Sequence, residues 1–118
     1  MRTNKILGEG VHLQVNLRKI SPLPIEAIKF LDELSQRDSV EKLIIFGSRA
    51  CGDYDKYSDI DLAVVAPSFT KADWVMLRAK AIHDVRVVFR ISIVNFLSNP
   101  ERLQKRIYDD GEVIYEQS

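Results

Sequence analysis

The spacing of hydrophobic residues in the first half of the chain predicts a strand, a helix and a second strand. Apolar and polar residues alternate over residues 11–17, which indicates a strand with one buried face. A helix is expected to begin near Ser21 and Pro22, which suit a cap and a first turn, and its apolar residues recur at helical spacing up to Leu34. The continuous apolar run over residues 43–46 then predicts a buried central strand.

The next part of the chain continues this alternation of strands and helices. The small and polar residues 47–58 predict a turn and a loop, and residues 59–66 predict a strand that Pro67 ends. We expect a helix over residues 71–83, and the β-branched residues 85–96 predict a long strand.

The end of the chain adds one more helix and one more strand. Asn99, Pro100 and Glu101 provide a cap, a first-turn proline and an acid that suits the helix dipole, so a helix is expected up to about Tyr108. Residues 113–115 predict a short edge strand. The resulting order, β-α-β-β-α-β-α-β, predicts an α/β (α+β) fold in which helices pack on a mixed β-sheet.

The composition indicates one small folded domain that spans residues 1–118. The chain has 118 residues, of which 46% are hydrophobic, with 17 basic and 17 acidic side chains. One hydrophobic core normally serves about 100–150 residues, and this hydrophobic share is too high for a disordered chain. The charge balance also excludes a general binder of nucleic acids or anionic membranes, so any phosphate chemistry must be local.

The numbers of cysteine and histidine residues limit the kinds of metal site and disulfide that the chain can form. Its single cysteine, Cys51, cannot form an internal disulfide, and its two histidines, His12 and His83, are too few for a Cys/His metal cage. Any metal is therefore expected to be a hard cation held by carboxylates. No apolar run is long enough for a signal peptide or a membrane span, so we expect a cytoplasmic protein.

A glycine turn with polar neighbours follows the predicted central strand. Gly47 and Ser48 lie where the chain must turn sharply, so backbone N–H groups and a hydroxyl can point at a phosphate without a side chain in the way. Arg49 adds a permanent positive charge that either contacts the phosphate or fastens the loop to an acidic group.

Asp59 and Asp61 are candidate metal ligands on the following strand. Residues two apart on a strand project from the same face, with Cα atoms about 6.6–7 Å apart, so both carboxylates can converge on one cation. Without a cation, two acids beside apolar residues repel each other and lose hydration. Mg²⁺ prefers carboxylate oxygens and completes its coordination shell with water and nucleotide phosphates. The glycine turn and the acid pair together predict a site for a magnesium-bound triphosphate.

Two segments combine these features into one motif: Gly47-Ser48-Arg49-Ala50-Cys51-Gly52 and Ser58-Asp59-Ile60-Asp61-Leu62. The motif resembles the signature of the nucleotidyltransferase superfamily that includes DNA polymerase beta. At this chain length, the resemblance is to the minimal nucleotidyltransferase (MNT) proteins, which pair with HEPN-domain partners in bacterial and archaeal toxin–antitoxin systems. It is strongest over residues 43–65 and weaker through residues 89–96 and 111–115.

The resemblance implies a polymerase beta-like fold with Mg²⁺ as cofactor and ATP as substrate. It places Gly47, Ser48 and Arg49 at the nucleotide and makes Asp59 and Asp61 the catalytic, metal-binding residues. It further implies an antitoxin that works as a protein adenylyltransferase. Such an enzyme transfers AMP to a tyrosine of a HEPN-family ribonuclease toxin and thereby neutralises it.

The chain departs from the family pattern at charged positions. Cys51 stands where family members usually carry Arg. The family's third carboxylate lies on a later strand, and alignment of that strand puts Ser92 at its position and Asn95 at a second acid. A hydroxyl is a poor metal ligand and a poor base, so nucleotide binding can be kept while transfer is slow or lost. Asp84 is the main candidate for a substitute acid, but it is expected about 26 Å from Ser92 along an extended strand.

Two functions other than protein adenylylation stay open at this stage. One is a non-catalytic antitoxin or interaction module that keeps the fold and inhibits its partner by contact; Ser92 and Asn95 favour it, whereas the intact Gly-Ser and Asp-x-Asp motifs favour the enzyme. The other is a small-molecule nucleotidyltransferase, for which the chain lacks the extra length that builds an acceptor site. The sequence specifies neither the nucleotide base nor whether the chain forms homo- or hetero-oligomers.

Overall fold

The computed structural model describes residues 13–20 and 22–118. The helices and strands follow one another in this order: α1 (Ile25–Ser35), β1 (Lys42–Phe46), α2 (Ser48–Cys51), β2 (Ile60–Val65), α3 (Lys71–His83), β3 (Ile91–Asn95), α4 (Glu101–Asp110) and β4 (Glu112–Glu116). A 3₁₀ turn over Phe96–Ser98 separates β3 from α4. None of the helices within the described residues is long and apolar enough to cross a membrane.

The strands of the described residues form one mixed sheet in the order β3-β2-β1-β4. β1 pairs antiparallel with β2 and with β4, whereas β3 pairs parallel with β2. Helix α3 supplies the crossover that parallel strands require. The predicted mixed sheet with helices packed on it is therefore confirmed, and β4 is an edge strand as expected.

The two faces of the sheet are covered to different extents. Helices α1 and α3 pack on one face and form the main core with the strands; its largest members include Leu31, Leu43, Ile45, Leu62, Trp74 and Leu77. The opposite face carries a smaller buried cluster of Ile44, Ala63, Val65 and Phe96. Helix α4 packs against this second face through Ile107, and none of its residues is fully buried. The second face therefore leaves room for a site beside the sheet.

The alternation of β2 places Asp61 on the thinly covered face. Its neighbours Ile60 and Leu62 are buried in the main core, so the Asp61 side chain projects to the opposite side. Asp61 is aligned with Phe46 on β1 and with Ser92 on β3. The end of β1, the start of β2 and the start of β3 thus meet around this carboxylate.

The predicted strand over residues 11–17 is wrong for its described part, residues 13–17. The carboxylate of Asp32 on α1 accepts hydrogen bonds from the N–H groups of Gln14, at 2.6 Å, and Val15, at 3.3 Å. A side chain thus takes up the donors that a strand ladder would need, and only the Asn16 N–H reaches β4, at the carbonyl of Ile114. Residues 11 and 12 and the predicted helix cap Ser21 lie outside the described residues.

Two loop boundaries also differ from the prediction. Residues 47–58, predicted as a turn and a loop, contain the short helix α2. The predicted strand over residues 85–96 forms only as β3, because the Val87 N–H turns back to the Val85 carbonyl and the following residues pack against the core as a loop. The β-branched residues Val85 and Val87 are partly buried against the core there, but they do not pair with another strand.

Helix α3 is confirmed over the predicted residues, Lys71–His83. The Thr70 side chain accepts from the Asp73 N–H at 3.1 Å, and the Asp73 carboxylate accepts from the Thr70 N–H at 2.8 Å. This reciprocal capping box satisfies donors that a helix start otherwise leaves unpaired.

Candidate functional site

The turn after β1 requires glycine at position 47 for two reasons. Gly47 has φ 78° and ψ −155°, a backbone region that is essentially restricted to glycine. A Cβ atom at this position would also overlap the Oδ2 atom of Asp61. The backbone of the turn therefore approaches the Asp61 carboxylate as closely as a residue without a side chain permits.

Helix α2 begins directly after this turn. The Gly47 carbonyl accepts the N–H groups of Ala50, at 3.0 Å, and Cys51, at 3.2 Å, which closes the first turn of the helix. The N–H groups at the start of a helix have no partner within the helix, and those of Ser48 and Arg49 occupy this position. Ser48 is half-buried beside the glycine turn. The predicted grouping of donors around Gly47 and Ser48 is consistent with this local geometry.

Asp59 and Asp61 flank the first residue of β2. Asp59 is exposed, and its Oδ1 atom accepts the Arg90 N–H at 2.9 Å, which ties the start of β2 to the start of β3. Burial raises the pKa of the Asp61 carboxyl above its ordinary value, and the neighbouring charge of Asp59 raises it further. Both causes oppose a second negative charge at Asp61, and a bound cation would relieve the repulsion. The all-oxygen donor pair fits a hard cation such as Mg²⁺.

Ser92 lies beside Asp61 on the neighbouring strand. The two residues are aligned in the parallel β2–β3 pair, where strands run about 4.8 Å apart. Their neighbours Ile60 and Ile91 are aligned in the same way and both join the main core, so Asp61 and Ser92 share the opposite face. A hydroxyl therefore lies next to Asp61 at the position where the sequence alignment predicts the family's third acid.

The structure provides no substitute acid for Ser92 among the described residues. Within them, no group of three or more His, Cys, Asp or Glu side chains could hold a metal ion. The prediction that Asp84 begins a strand is wrong. Asp84 instead caps the end of α3, and its N–H donates to the Lys80 carbonyl. Asn95 ends β3, and its carbonyl accepts hydrogen bonds from Ser98 and Asn99. Any metal bound by Asp59 and Asp61 would therefore take its other ligands from water or phosphate.

Arg49 is almost completely buried, with 2% of its surface exposed. Its guanidinium donates to the carbonyls of Ser58, at 3.0 Å, and Pro22, at 3.2 Å, and stacks on the Phe89 ring at 4.6 Å. These contacts hold the loop between α2 and β2 against the rest of the molecule. Of the two roles predicted for Arg49, these contacts support the fastening of the loop, here through backbone carbonyls; its contact with phosphate stays a prediction.

A groove beside the glycine turn was not foreseen from the sequence. It has a volume of about 420 Å³ and runs between the end of β1, β3 and α4, with Gly47 forming part of its wall. Its apolar lining comes from Phe46, Val94, Leu103 and Ile107. The spacing of the apolar residues Leu103 and Ile107 on α4 indicates that they share one face of this helix. Their position next to Gly47, however, depends on how α4 packs on the sheet.

Comparison with solved structures supports the same fold. The chain is similar to a protein whose structure is described as "Crystal structure of the toxin-antitoxin with AMP-PNP". The TM-score is 0.59 and the sequence identity 21%, with 80% of this chain and 73% of that chain covered. At this identity the likeness shows a shared fold.

The sequence of the chain also matches a model of a protein family. A search of curated proteins found no match. The family model described as "Polymerase beta, Nucleotidyltransferase" matches residues 28–118, which include the glycine turn, the acid pair and Ser92. With most of its length covered by that model and the predicted fold confirmed, the chain belongs to the polymerase beta nucleotidyltransferase family.

Proposed function

We propose that the chain is an MNT-type antitoxin that binds magnesium-ATP and transfers AMP to a HEPN-family ribonuclease toxin. The observation that carries the proposal is the close approach of the Gly47 turn to the Asp61 carboxylate, with Asp59 alongside. This arrangement supports the proposal, because nucleotidyl transfer requires donors for phosphate oxygens next to acids that can hold a metal. The similar fold of a toxin–antitoxin protein described with AMP-PNP supports this choice of partner and nucleotide.

Each residue of the site has a distinct task in this proposal. Asp59 and Asp61 hold Mg²⁺, which when bound supplies Lewis-acid stabilisation of phosphate charge. Gly47 lets the triphosphate approach the backbone, and Ser48 offers a hydroxyl and an N–H to its oxygens. Arg49 positions the loop that leads to Asp59, since it bonds the carbonyl of Ser58. In the transfer, the toxin's tyrosine hydroxyl gives up its proton to water, its oxygen forms a bond to the α-phosphorus of ATP, and the bond from that phosphorus to the departing pyrophosphate breaks.

A second candidate function rests on Ser92. Beside Asp61, a carboxylate could help to hold a second metal and could take the proton of the attacking hydroxyl, whereas a serine hydroxyl does neither well. The alternative is an antitoxin that keeps nucleotide binding and inhibits its partner by contact, with transfer slow or lost. The two candidates differ in whether AMP is transferred and in whether the partner is inhibited by modification or by contact. Inhibition by contact alone would not require nucleotide binding.

Nucleotide binding is tested first, by calorimetric titration of the full chain with ATP in the presence and absence of Mg²⁺. We expect magnesium-dependent binding that the double variant Asp59→Asn/Asp61→Asn loses. The matched control is Asp38→Asn/Asp53→Asn, which removes the same charge from two exposed positions and should bind normally. Absence of magnesium-dependent binding in the natural protein would exclude both candidates that use a nucleotide.

Transfer is tested by incubating the natural protein and Ser92→Asp with a HEPN-family toxin, the partner that this proposal names, and ATP labelled at the α-phosphate. Label on the toxin identifies the adenylyltransferase. If the natural protein labels the toxin slowly and Ser92→Asp labels it faster, Ser92 limits turnover. Robust transfer by the natural protein that Ser92→Asp does not change would exclude the impaired enzyme.

A further inference from the structure

The groove between β3 and α4 has the properties of a small-molecule site. Its volume of about 420 Å³ lies within the range of about 300–1,000 Å³ that is usual for ligand pockets. Phe46, Val94, Leu103 and Ile107 line it with apolar surface. Arg106 and Asp110, both on α4, also line the groove, although almost all of its accessible lining is apolar. A mostly apolar lining with a few polar groups is the composition expected of a site for a small organic ring.

The groove stays open because α4 covers its face of the sheet only in part. No residue of α4 is buried, and Leu103 keeps 41% of its surface exposed although it lines the groove. At one end, the Cys51 thiol approaches the Asp110 carbonyl at 3.9 Å, so the end of α2 meets the end of α4. The apolar walls therefore face solvent, and a ring that covered them would remove this surface from water.

We infer that this groove receives the purine base of the bound nucleotide. The inference rests on the proposed function and deepens it, because it assigns the base to a place beside the phosphates. Gly47 supplies the link: it forms part of the groove wall and also contacts the Asp61 carboxylate region. In this inference, a triphosphate at the Gly47 turn directs its nucleoside end into the groove.

The chemistry of the lining favours a purine over a pyrimidine. The apolar side chains contact the flat faces of a ring, and the larger purine covers more of them. The Asp110 carboxylate accepts from an exocyclic amine such as that of adenine, and the Arg106 guanidinium donates to a ring nitrogen. Both partners belong to one helix turn near the end of α4, so they meet neighbouring atoms on one edge of the base.

The base groove is tested by comparing three ligands in the presence of Mg²⁺: ATP, CTP and inorganic tripolyphosphate, which lacks a base. Each is titrated calorimetrically into the full chain. Because base stacking contributes about 1–3 kcal/mol per base in other proteins, we expect ATP to bind at least about fivefold more tightly than tripolyphosphate, with CTP between them. Equal affinities for all three ligands would overturn the groove assignment.

Two variants locate the preference in the groove. Leu103→Trp fills it and should bring the affinity for ATP down to that for tripolyphosphate, while tripolyphosphate still binds as in the natural protein. Asp110→Asn removes the charged acceptor at one edge and should weaken ATP binding without changing tripolyphosphate binding. The control, Met76→Trp, adds the same bulk at a side chain that is 70% exposed on α3, so it should change neither.

The outcomes separate this inference from the proposed function. If the natural protein binds neither ATP nor tripolyphosphate, the nucleotide site itself is refuted and the base groove with it. If tripolyphosphate binds but ATP has no advantage, or if Leu103→Trp and Asp110→Asn leave that advantage intact, only the base groove is refuted. Tripolyphosphate binding by each variant also shows that the variant is folded.

Discussion

The substitution Gly47→Ala tests the contact on which the candidate site depends. Gly47 adopts φ 78° and ψ −155°, where any other residue is strained by about 1–3 kcal/mol. For a domain of this size, 1 kcal/mol corresponds to a shift of about 4 °C in Tm, so we expect Tm to fall by about 4–12 °C from the backbone alone. The added Cβ atom must also displace the Oδ2 atom of Asp61, so magnesium-ATP binding should be lost.

Gly52→Ala is the matched control for this substitution. Gly52 also has a positive φ, 87°, but a Cβ atom there would meet no other atom within 4 Å. The left-handed conformation costs an alanine about 1–2 kcal/mol, so this variant should lose comparable stability. Because nothing near the acid pair moves, it should still bind magnesium-ATP with unchanged affinity.

A double-mutant cycle with Asp61→Ala isolates the contact itself. In the Asp61→Ala background, the Cβ of an alanine at position 47 lies 3.5 Å from the remaining Cβ of residue 61, an ordinary contact distance. Gly47→Ala should then cost only the backbone strain, so it should lower the free energy of unfolding less than it does in the natural protein. Thermal and urea unfolding followed by circular dichroism measure each corner of the cycle. Equal costs in both backgrounds, or retained magnesium-ATP binding by Gly47→Ala, would refute the reasoning.

Three further predictions address stability. In the absence of metal, Asp61→Asn should raise Tm at neutral pH and lose this advantage at low pH. Because the pKa of Asp61 is raised in the folded protein, its ionisation opposes folding once the pH rises above the ordinary carboxyl range. Thermal unfolding across a pH series measures this, and a Tm difference that does not change with pH would contradict the prediction. Arg49→Lys should lower the free energy of unfolding by about 1.5–3 kcal/mol in urea titration, because an ammonium group cannot reproduce the guanidinium bonds to Ser58 and Pro22; a purely phosphate-binding role would instead leave stability unchanged. Thr70→Ala removes the capping box of α3 and should lower the free energy of unfolding by about 1 kcal/mol in the same titration, whereas Thr70→Ser should lower it little. Equal losses of stability for the two variants would exclude the cap as the cause.

The sequence was sufficient for those parts of the site that depend on short-range geometry. The alternation of β2 follows from buried Ile60 and Leu62, so the side of the sheet to which Asp61 projects could be inferred from the strand pattern. That Asp59 projects to the same side stays a prediction. The need for glycine at position 47 could be inferred from a sharp turn after an apolar strand. Alignment with the family motif put Ser92 at the third-acid position, and the β2–β3 register places it next to Asp61.

Features that depend on contacts between distant segments could not be inferred in the same way. Residues 13–17 have the alternation of a strand, but the Asp32 carboxylate on α1 binds two of their N–H groups. Arg49 is buried by contacts with Pro22 and Phe89, which lie 27 positions before it and 40 after it in the sequence. In each case a polar side chain finds its partner only after the helices have packed, and hydrophobic periodicity carries no information about such partners.

The two carboxylates of the candidate site affect both the stability of the fold and the metal ions that the site could hold. Asp59 and Asp61 place two negative charges at one edge of the sheet, and both burial and the Asp59 charge raise the pKa of Asp61 and so oppose the second charge. A third acid beside Asp61 would increase this repulsion and would need a second cation to balance it. With Ser92 beside Asp61, one divalent cation would balance the carboxylate pair. If position 92 is that of the third acid, an acid there would lower the stability of the metal-free protein and supply the ligand on which rapid transfer would depend, so Ser92→Asp should lower Tm without metal and raise turnover.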